Sequence, residues 1–317
     1  MGTRSSSLNG SPSIEELVDV QQFFKLQSPS LVEKDWYVVK ALAAIIRADS
    51  GPFQLAFQGG TALARAHRIT QRMSEDIDLK IVSAEKQSRG AYRRLRENIS
   101  AALLSAGFEF DPANPEHRKT MWEAEYVLYR LPYKSITAPH AELRSSIKIE
   151  VSAWPQRRPP VNRPVASFVA EAFNRPPEIT AIATSDLAEN AAEKFVALTR
   201  RAGAQLARLR EKRDPTLVRH IYDLHLLEQH LDAADVASLV AVIMQEDAET
   251  RGNLFPAYQQ DPMRETLRAV EGILADPQFA VEYASFVQSM VYGEAPEFET
   301  ASSTLKVLAE QTKIAQK

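Results

Sequence analysis

Apolar positions recur at two different periods along the chain. From Ser13 to Phe24 and from about Ser30 to Ala48 the spacing is helical, and in the second segment Leu31, Trp36, Val39, Leu42, Ala43 and Ile46 form one stripe. Both segments predict amphipathic helices packed on a core. Glu16 follows Ser13 at capping-box spacing, and Gly51 and Pro52 stop the second helix. From Phe53 the pattern changes: FQLAFQ reads as a strand, Gly59 and Gly60 as a sharp turn opening a short helix near Thr61, and DIDLKIV as a second strand. In that second strand Ile77, Leu79 and Ile81 alternate with Asp76, Asp78 and Lys80, so both carboxylates leave the same face of the sheet.

Residues 85–106 predict a long basic helix ending at Gly107, with Lys86, Arg89, Arg93, Arg94 and Arg96 on it. A charged face of this kind is either solvated or available to nucleic acid. Trp122 to Leu131 and Ile147 to Ala153 alternate with period two, as antiparallel additions to a sheet would. The stretch 154–178 contains RRPPVNRP and NRPP, which exclude a regular helix and a central strand and suggest a linker between lobes. Beyond it the helical period dominates, starting with a helix that Asp186 and Glu189 open. The expected organisation is a disordered leader over residues 1–12, a first domain over 13–180 and a helical C-terminal domain over 181–317.

Composition changes this picture little. The chain has 317 residues, 44% hydrophobic and 25% charged, which is enough to bury a sizeable core in two lobes. A formal net charge of −3 argues against wholesale coating of nucleic acid, so any basic patch has to be a placed feature. Cysteine is absent, which removes disulfides, thiolate metal ligands and a thiol nucleophile. No apolar run approaches a membrane span and no signal peptide is visible, so a cytoplasmic protein with no membrane partner is expected.

The chemistry concentrates in residues 53–82. Gly59 and Gly60 let the backbone approach a ligand closely, and the helix opening at Thr61 would turn N–H groups toward an anion. Asp76 and Asp78 repel each other unless a cation lies between them, and oxygen donors suit magnesium with substrate phosphates completing its shell. A two-metal phosphoryl-transfer site is the sharp expectation, and a glycine turn beside an exposed strand is the bland one. Glu150 faces the same way as Lys148 and Ser152 in IKIEVS, so it is either a third carboxylate or a solvated strand residue.

The stretch GGTALARAHRITQRMSEDIDL resembles the first motif of the AbiEii-type nucleotidyltransferases, a branch of the DNA polymerase β-like superfamily that includes bacterial toxins. Gly59, Gly60, Thr61, Leu63, Arg72, Ser74, Asp76, Ile77, Asp78 and Leu79 carry the match. The resemblance implies an α+β, bilobed protein: a polymerase β-like nucleotidyltransferase sheet with flanking helices, plus a helical C-terminal lobe. It implies that Asp76 and Asp78 hold two Mg2+ ions with Glu150 as the third acidic residue. Gly59, Gly60, Thr61, Arg72 and Ser74 would bind the nucleotide. AEKFVALTRR resembles a later motif whose lysine, Lys194 here, contacts the nucleotide phosphates. RDPTLVRHIYDLHLL resembles the closing motif, in which Asp214 and Asp223 compete; Asp223, within a helix, is preferred, and Asp214 before Pro215 suits a helix cap. His220 stands where an acidic residue is usual, and could itself accept a proton.

The implied activity moves a nucleoside monophosphate from an NTP to a hydroxyl, with the 3′ end of tRNA as the implied acceptor and a cognate antitoxin as partner. Two rivals stay open. One keeps the fold and changes the acceptor to a protein or small molecule, and the other is a non-catalytic module that binds a nucleotide or a partner. The arginines of RRAGAQLARLREKRD fit a phosphate-binding surface or a solvated arm equally well.

Overall fold

The computed structural model describes residues 10–121, 125–251 and 255–316, and the chain divides into two compact units, the first ending at Ser185 and the second beginning at Asp186. In the first unit α1 (Ile14–Phe23) starts at Ser13, whose Oγ accepts from the Glu16 N–H at 3.2 Å while Glu16 Oε2 accepts from the Ser13 N–H at 3.0 Å. That reciprocal pair is the capping box the spacing predicts. Next come α2 (Pro29–Ile46), β1 (Gln54–Gln58) and a short helix, α3, that starts as Gly59–Thr61 and widens to π geometry over Ala62–Ala66. β2 (Asp76–Val82), α4 (Arg89–Ser105), β3 (Arg118–Met121), β4 (Tyr126–Pro132) and β5 (Ser146–Ser152) follow. The unit closes with β6 (Val161–Val165), α5 (Phe168–Ala172) and β7 (Ile179–Thr184).

The strands form one seven-stranded mixed sheet in the order β3-β4-β5-β2-β1-β7-β6. β1 and β2 are antiparallel, whereas β2–β5 and β1–β7 are parallel, which places β2 at the centre with β1 and β5 beside it. Ile77 and Leu79 of β2 and Ile147, Ile149 and Val151 of β5 are all buried, as their alternation requires. Helix α2 packs against both strands, and α1, α4 and α5 pack against α2.

Three sequence expectations need correction or restriction. The proline-dense stretch 154–178 is not a bare linker: it contains β6 and α5, both inside the first unit. Pro164 is tolerated because β6 is the edge strand and its pairing shifts register between Arg163 and Val165, so no ladder N–H is required there. The strand expected from Trp122 is seen from Tyr126 onward, since residues 122–124 lie outside the described residues, as does the leader up to residue 9. Finally, the apolar stripe of α2 coexists with three consecutive buried charges, Glu33, Lys34 and Asp35, which helical periodicity cannot anticipate.

Each of those charges has partners. Glu33 accepts from Ser135 Oγ at 2.6 Å and from the Ile136 N–H at 2.8 Å. Asp35 pairs with Arg65 at 3.0 Å and accepts from the Phe168 N–H at 2.7 Å. Burial pushes the Asp35 carboxyl up to about 6 despite the opposing Arg65 charge.

The elements of the second unit are helices: α6 (Leu187–Leu206), a 3-10 turn (Pro215–Leu217), α7 (Val218–Glu228), α8 (Ala233–Arg251), α9 (Pro256–Gln260), α10 (Pro262–Ala275), α11 (Pro277–Met290) and α12 (Phe298–Ala315). α6 packs against α7, α8 and α10, and α12 against α7 and α8. Tyr258, Phe279, Tyr283 and Phe286 are buried in the core of this unit. Most of the arginine cluster is likewise committed internally. Arg200 is buried against Asp247 at 2.6 Å, Arg201 pairs with Asp214, and Arg213 pairs with Asp276 at 2.8 Å and with Glu282. Among the described residues no helix is long and apolar enough to cross a membrane.

Candidate active site

The central pair of parallel strands sets the site. In the β2–β5 register Asp76 lies opposite Lys148 and Asp78 opposite Glu150, so these four side chains share one face in two adjacent rows. On the other side of β2, Gln58 at the end of β1 pairs with Asp78. The turn that leaves β1 therefore emerges beside the second aspartate.

That turn explains both glycines. Gly59 has φ +78°, a left-handed conformation that L side chains rarely adopt, and a Cβ there would also collide with the Asp78 carboxylate oxygen. A Cβ on Gly60 would collide with the Arg72 guanidinium and reach 3.0 Å from Ser74 Oγ. Thr61 ties the assembly together, its Oγ1 lying 2.9 Å from Ser74 Oγ and hydrogen-bonding the Asp76 carbonyl. Thus Gly59, Gly60, Thr61, Arg72, Ser74, Asp76, Asp78 and Glu150 are gathered in one region. Arg72 and Thr61 are buried, with Arg72 Nη1 donating to the Met73 carbonyl at 3.0 Å. The short helix is assigned from Gly59, whose left-handed φ makes the turn, and it contains Thr61, beside which the spacing placed its start.

Cations surround the carboxylates. Arg144 donates to Asp76 Oδ1, and its guanidinium is also 3.6 Å from Glu75. Lys148 Nζ lies 3.5 Å from Asp76 Oδ2 and is in direct contact with Glu150 Oε1. Partial burial disfavours the Lys148 ammonium, but Asp76 and Glu150 outweigh it and hold its pKa above the ordinary lysine value. Tyr126, hydrogen-bonded to Glu150, is pushed up to about 12, by burial first and by the Glu150 charge second. Behind this row, buried Glu75 accepts from the Arg144 N–H at 2.9 Å and pairs with Lys34 at 3.3 Å. Lys34 donates to the Arg144 and Ser146 carbonyls at 2.7 and 2.8 Å, fixing the entry to β5, and burial lowers its pKa.

Sequence reasoning missed Lys34, Glu75, Arg144 and Tyr126. For Lys148 a signal was present, since the alternation in IKIEVS puts it on the Glu150 face. Lys34 and Glu75 carried none, because their partners are distant in sequence.

The donor chemistry fits a hard divalent cation. Asp76 and Asp78 offer carboxylate oxygens on one strand face, next to a turn from which side chains are excluded, and magnesium commonly takes one or two carboxylates with phosphate oxygens. Among the described residues no group of three or more Asp, Glu or His is preassembled as a metal cage.

In the second unit Lys194 and Asp223 form a buried ion pair at 2.8 Å, joining α6 to α7. Asp214 accepts from the Thr216 N–H at 3.1 Å and caps the 3-10 turn, while Asp186 accepts from the Ala188 and Glu189 N–H groups and caps α6. His220 is half-buried on α7.

The central strand of a mixed sheet thus presents two aspartates beside a glycine turn. The family described as nucleotidyl transferase AbiEii toxin, type IV toxin–antitoxin system, matches residues 40–304, and the chain belongs to that family. Among solved structures the nucleotidyltransferase toxin MenT4 from Mycobacterium tuberculosis H37Rv is similar at 16% identity and a TM-score of 0.49, over 73% of this chain and 71% of that one. No curated protein matches.

Proposed function

We propose that the protein transfers a nucleoside monophosphate from an NTP to an acceptor hydroxyl, releasing pyrophosphate, with the 3′ end of an RNA such as tRNA as acceptor. The observation that carries the reading is the contact of Gly59 with Asp78 in a strand whose register also brings Glu150 alongside. The glycine turn and the acidic face of the strand meet at that point.

In this reading Asp76 and Asp78 hold magnesium, which when bound would neutralise charge on the triphosphate and on the attacking and leaving oxygens. Gly59 admits the Asp78 carboxylate and Gly60 the Arg72 guanidinium, so both groups close on the turn that would receive the phosphates. Thr61 and Ser74 hold the turn to β2, and Arg72 supports Gly60 from below. Glu150 completes the acidic row, held there by Lys148 and Tyr126. Membership of a toxin–antitoxin family supports growth inhibition as the outcome of transfer and a cognate antitoxin as partner.

The acceptor is tested by incubating the protein with each α-labelled NTP, magnesium and a bacterial extract containing RNA and protein. Label at RNA 3′ ends supports the reading. Label on protein or on small molecules moves the acceptor while keeping the chemistry, and absence of NTP binding contradicts the reading altogether.

A further inference from the structure

The carboxylate face of the sheet continues past the acidic row. Helix α2 packs on the opposite face, where Val127 and Leu131 are buried and Tyr129 Oη donates to the Arg96 carbonyl of α4 at 3.0 Å. On the carboxylate face the strand pairing carries each row outward. Asp76, Lys148 and Arg130 form one row, and Asp78, Glu150, Leu128 and Lys119 form the next. Arg130 on β4 and Lys119 on β3 thus stand two and three strands from β2, about 10 and 14 Å away at the usual strand spacing.

These two cations differ from those beside the aspartates. Arg144 and Lys148 both rest on carboxylates, whereas among the described residues neither Arg130 nor Lys119 has an ion-pair or side-chain hydrogen-bond partner. Arg130 is half-buried, and its opposite number is Lys148, which turns to Asp76 and Glu150. Like charges directly opposite on neighbouring strands are unfavourable, and an anion lying across them would relieve that cost. The half-buried Tyr126, its hydroxyl held by Glu150, stands on the same face of β4 and offers a ring on which an unpaired base can stack.

Direction along the sheet assigns the anion. The glycine turn that would receive the triphosphate leaves β1, on one side of β2, while β5, β4 and β3 lie on the other. Phosphoryl transfer sets the attacking and leaving oxygens roughly in line. With the pyrophosphate leaving on the β1 side, the acceptor hydroxyl approaches from the β5 side, over the row that ends in Arg130 and Lys119.

We propose that the β5–β4–β3 face seats the single-stranded 3′ end of the RNA acceptor, with Arg130 and Lys119 binding its phosphates. This rests on the nucleotidyltransferase reading and deepens it. The acidic row then works at the junction of two tracks, the nucleotide on the glycine side and the acceptor strand on the cationic side.

The test is binding of bulk tRNA with free 3′ ends to the full chain over a range of salt concentrations, for the wild type and the double variant Arg130→Gln with Lys119→Gln. Melting curves establish that the variant is folded. The double variant is expected to lose about tenfold in RNA affinity, and the slope of log affinity against log salt is expected to shrink by about 0.7 for each cation removed. Binding of a non-hydrolysable NTP analogue should be unchanged. Arg93→Gln with Arg94→Gln, an equal charge change on exposed residues of α4, should leave RNA binding as it is. Trimming the single-stranded end from the tRNA should abolish the difference between the wild type and the Arg130/Lys119 variant. Wild-type RNA affinity in that variant, an equal loss in the α4 control, or a difference that survives trimming would each overturn the proposal while leaving nucleotide transfer intact. A wild type that binds the NTP analogue and labels only protein overturns the RNA acceptor with it, and one that binds no NTP overturns the functional reading as a whole.

Discussion

Gly59 and Asp78 occupy each other's space: the carboxylate of the second aspartate lies where a Cβ on Gly59 would be, and the backbone there is already at φ +78°. The glycine turn and the acidic strand are therefore one device. Gly59→Ala should impair both halves, adding about 1–2 kcal/mol of left-handed strain and displacing the Asp78 carboxylate. The expected result is a folded protein with a slightly lower melting temperature and loss of NTP-dependent transfer of at least about a hundredfold, the scale of removing one placed electrostatic group. Full activity in Gly59→Ala would show that the contact is incidental.

The Lys34–Glu75 pair is predicted to support the site from beneath. Both side chains are buried, and Lys34 also holds two carbonyls at the entry to β5. Lys34→Met leaves Glu75 buried without that partner, and such a change typically costs about 3–5 kcal/mol. Denaturant unfolding of the two proteins checks it. The double variant Lys34→Met with Glu75→Gln should recover part of the loss.

Stability should depend on pH through Asp35. Its folded pKa of about 6 exceeds the ordinary 3.8, so between those values the folded state binds the proton that the unfolded state has released. The favourable contribution is therefore present at low pH and is lost as pH rises through about 6. Between pH 5 and 7.5 the stability of the wild type relative to Asp35→Asn should fall by roughly 1–2 kcal/mol. A pH-independent difference would contradict the assignment.

Much of this was legible in the residues themselves. The alternation of DIDLKIV and IKIEVS fixed which side chains share a face, and β2 and β5 needed only to be neighbours for Asp78 and Glu150 to meet. The Ser13 and Asp186 caps were readable because capping is local. What escaped was non-local or depended on sheet position. Lys34 and Glu75 find each other across α2 and the loop before β2, and Pro164 is acceptable only because β6 is an edge strand. The arginine cluster after α6 looked like a surface feature, yet its carboxylate partners include Asp247, Asp276 and Glu282, far along the chain.

Lys194 and Asp223 are predicted to be strongly coupled. At 2.8 Å and with side chains 7% and 0% exposed, neither charge can lose the other cheaply. Each single substitution, Lys194→Met or Asp223→Asn, should destabilise by about 3–5 kcal/mol, with the double variant less destabilised than the sum. Strict additivity in a double-mutant cycle would argue against a coupled pair.

The central claim is that Asp76 and Asp78 carry metal-dependent nucleotide transfer. The most direct measurement is the rate of label transfer from α-labelled NTP to RNA by the wild type, Asp76→Asn and Asp78→Asn, each confirmed folded and each titrated with magnesium. The expected result is magnesium-dependent transfer by the wild type and a loss of at least about a hundredfold in each variant, not rescued by added magnesium. Transfer by either folded variant at the wild-type rate would contradict it.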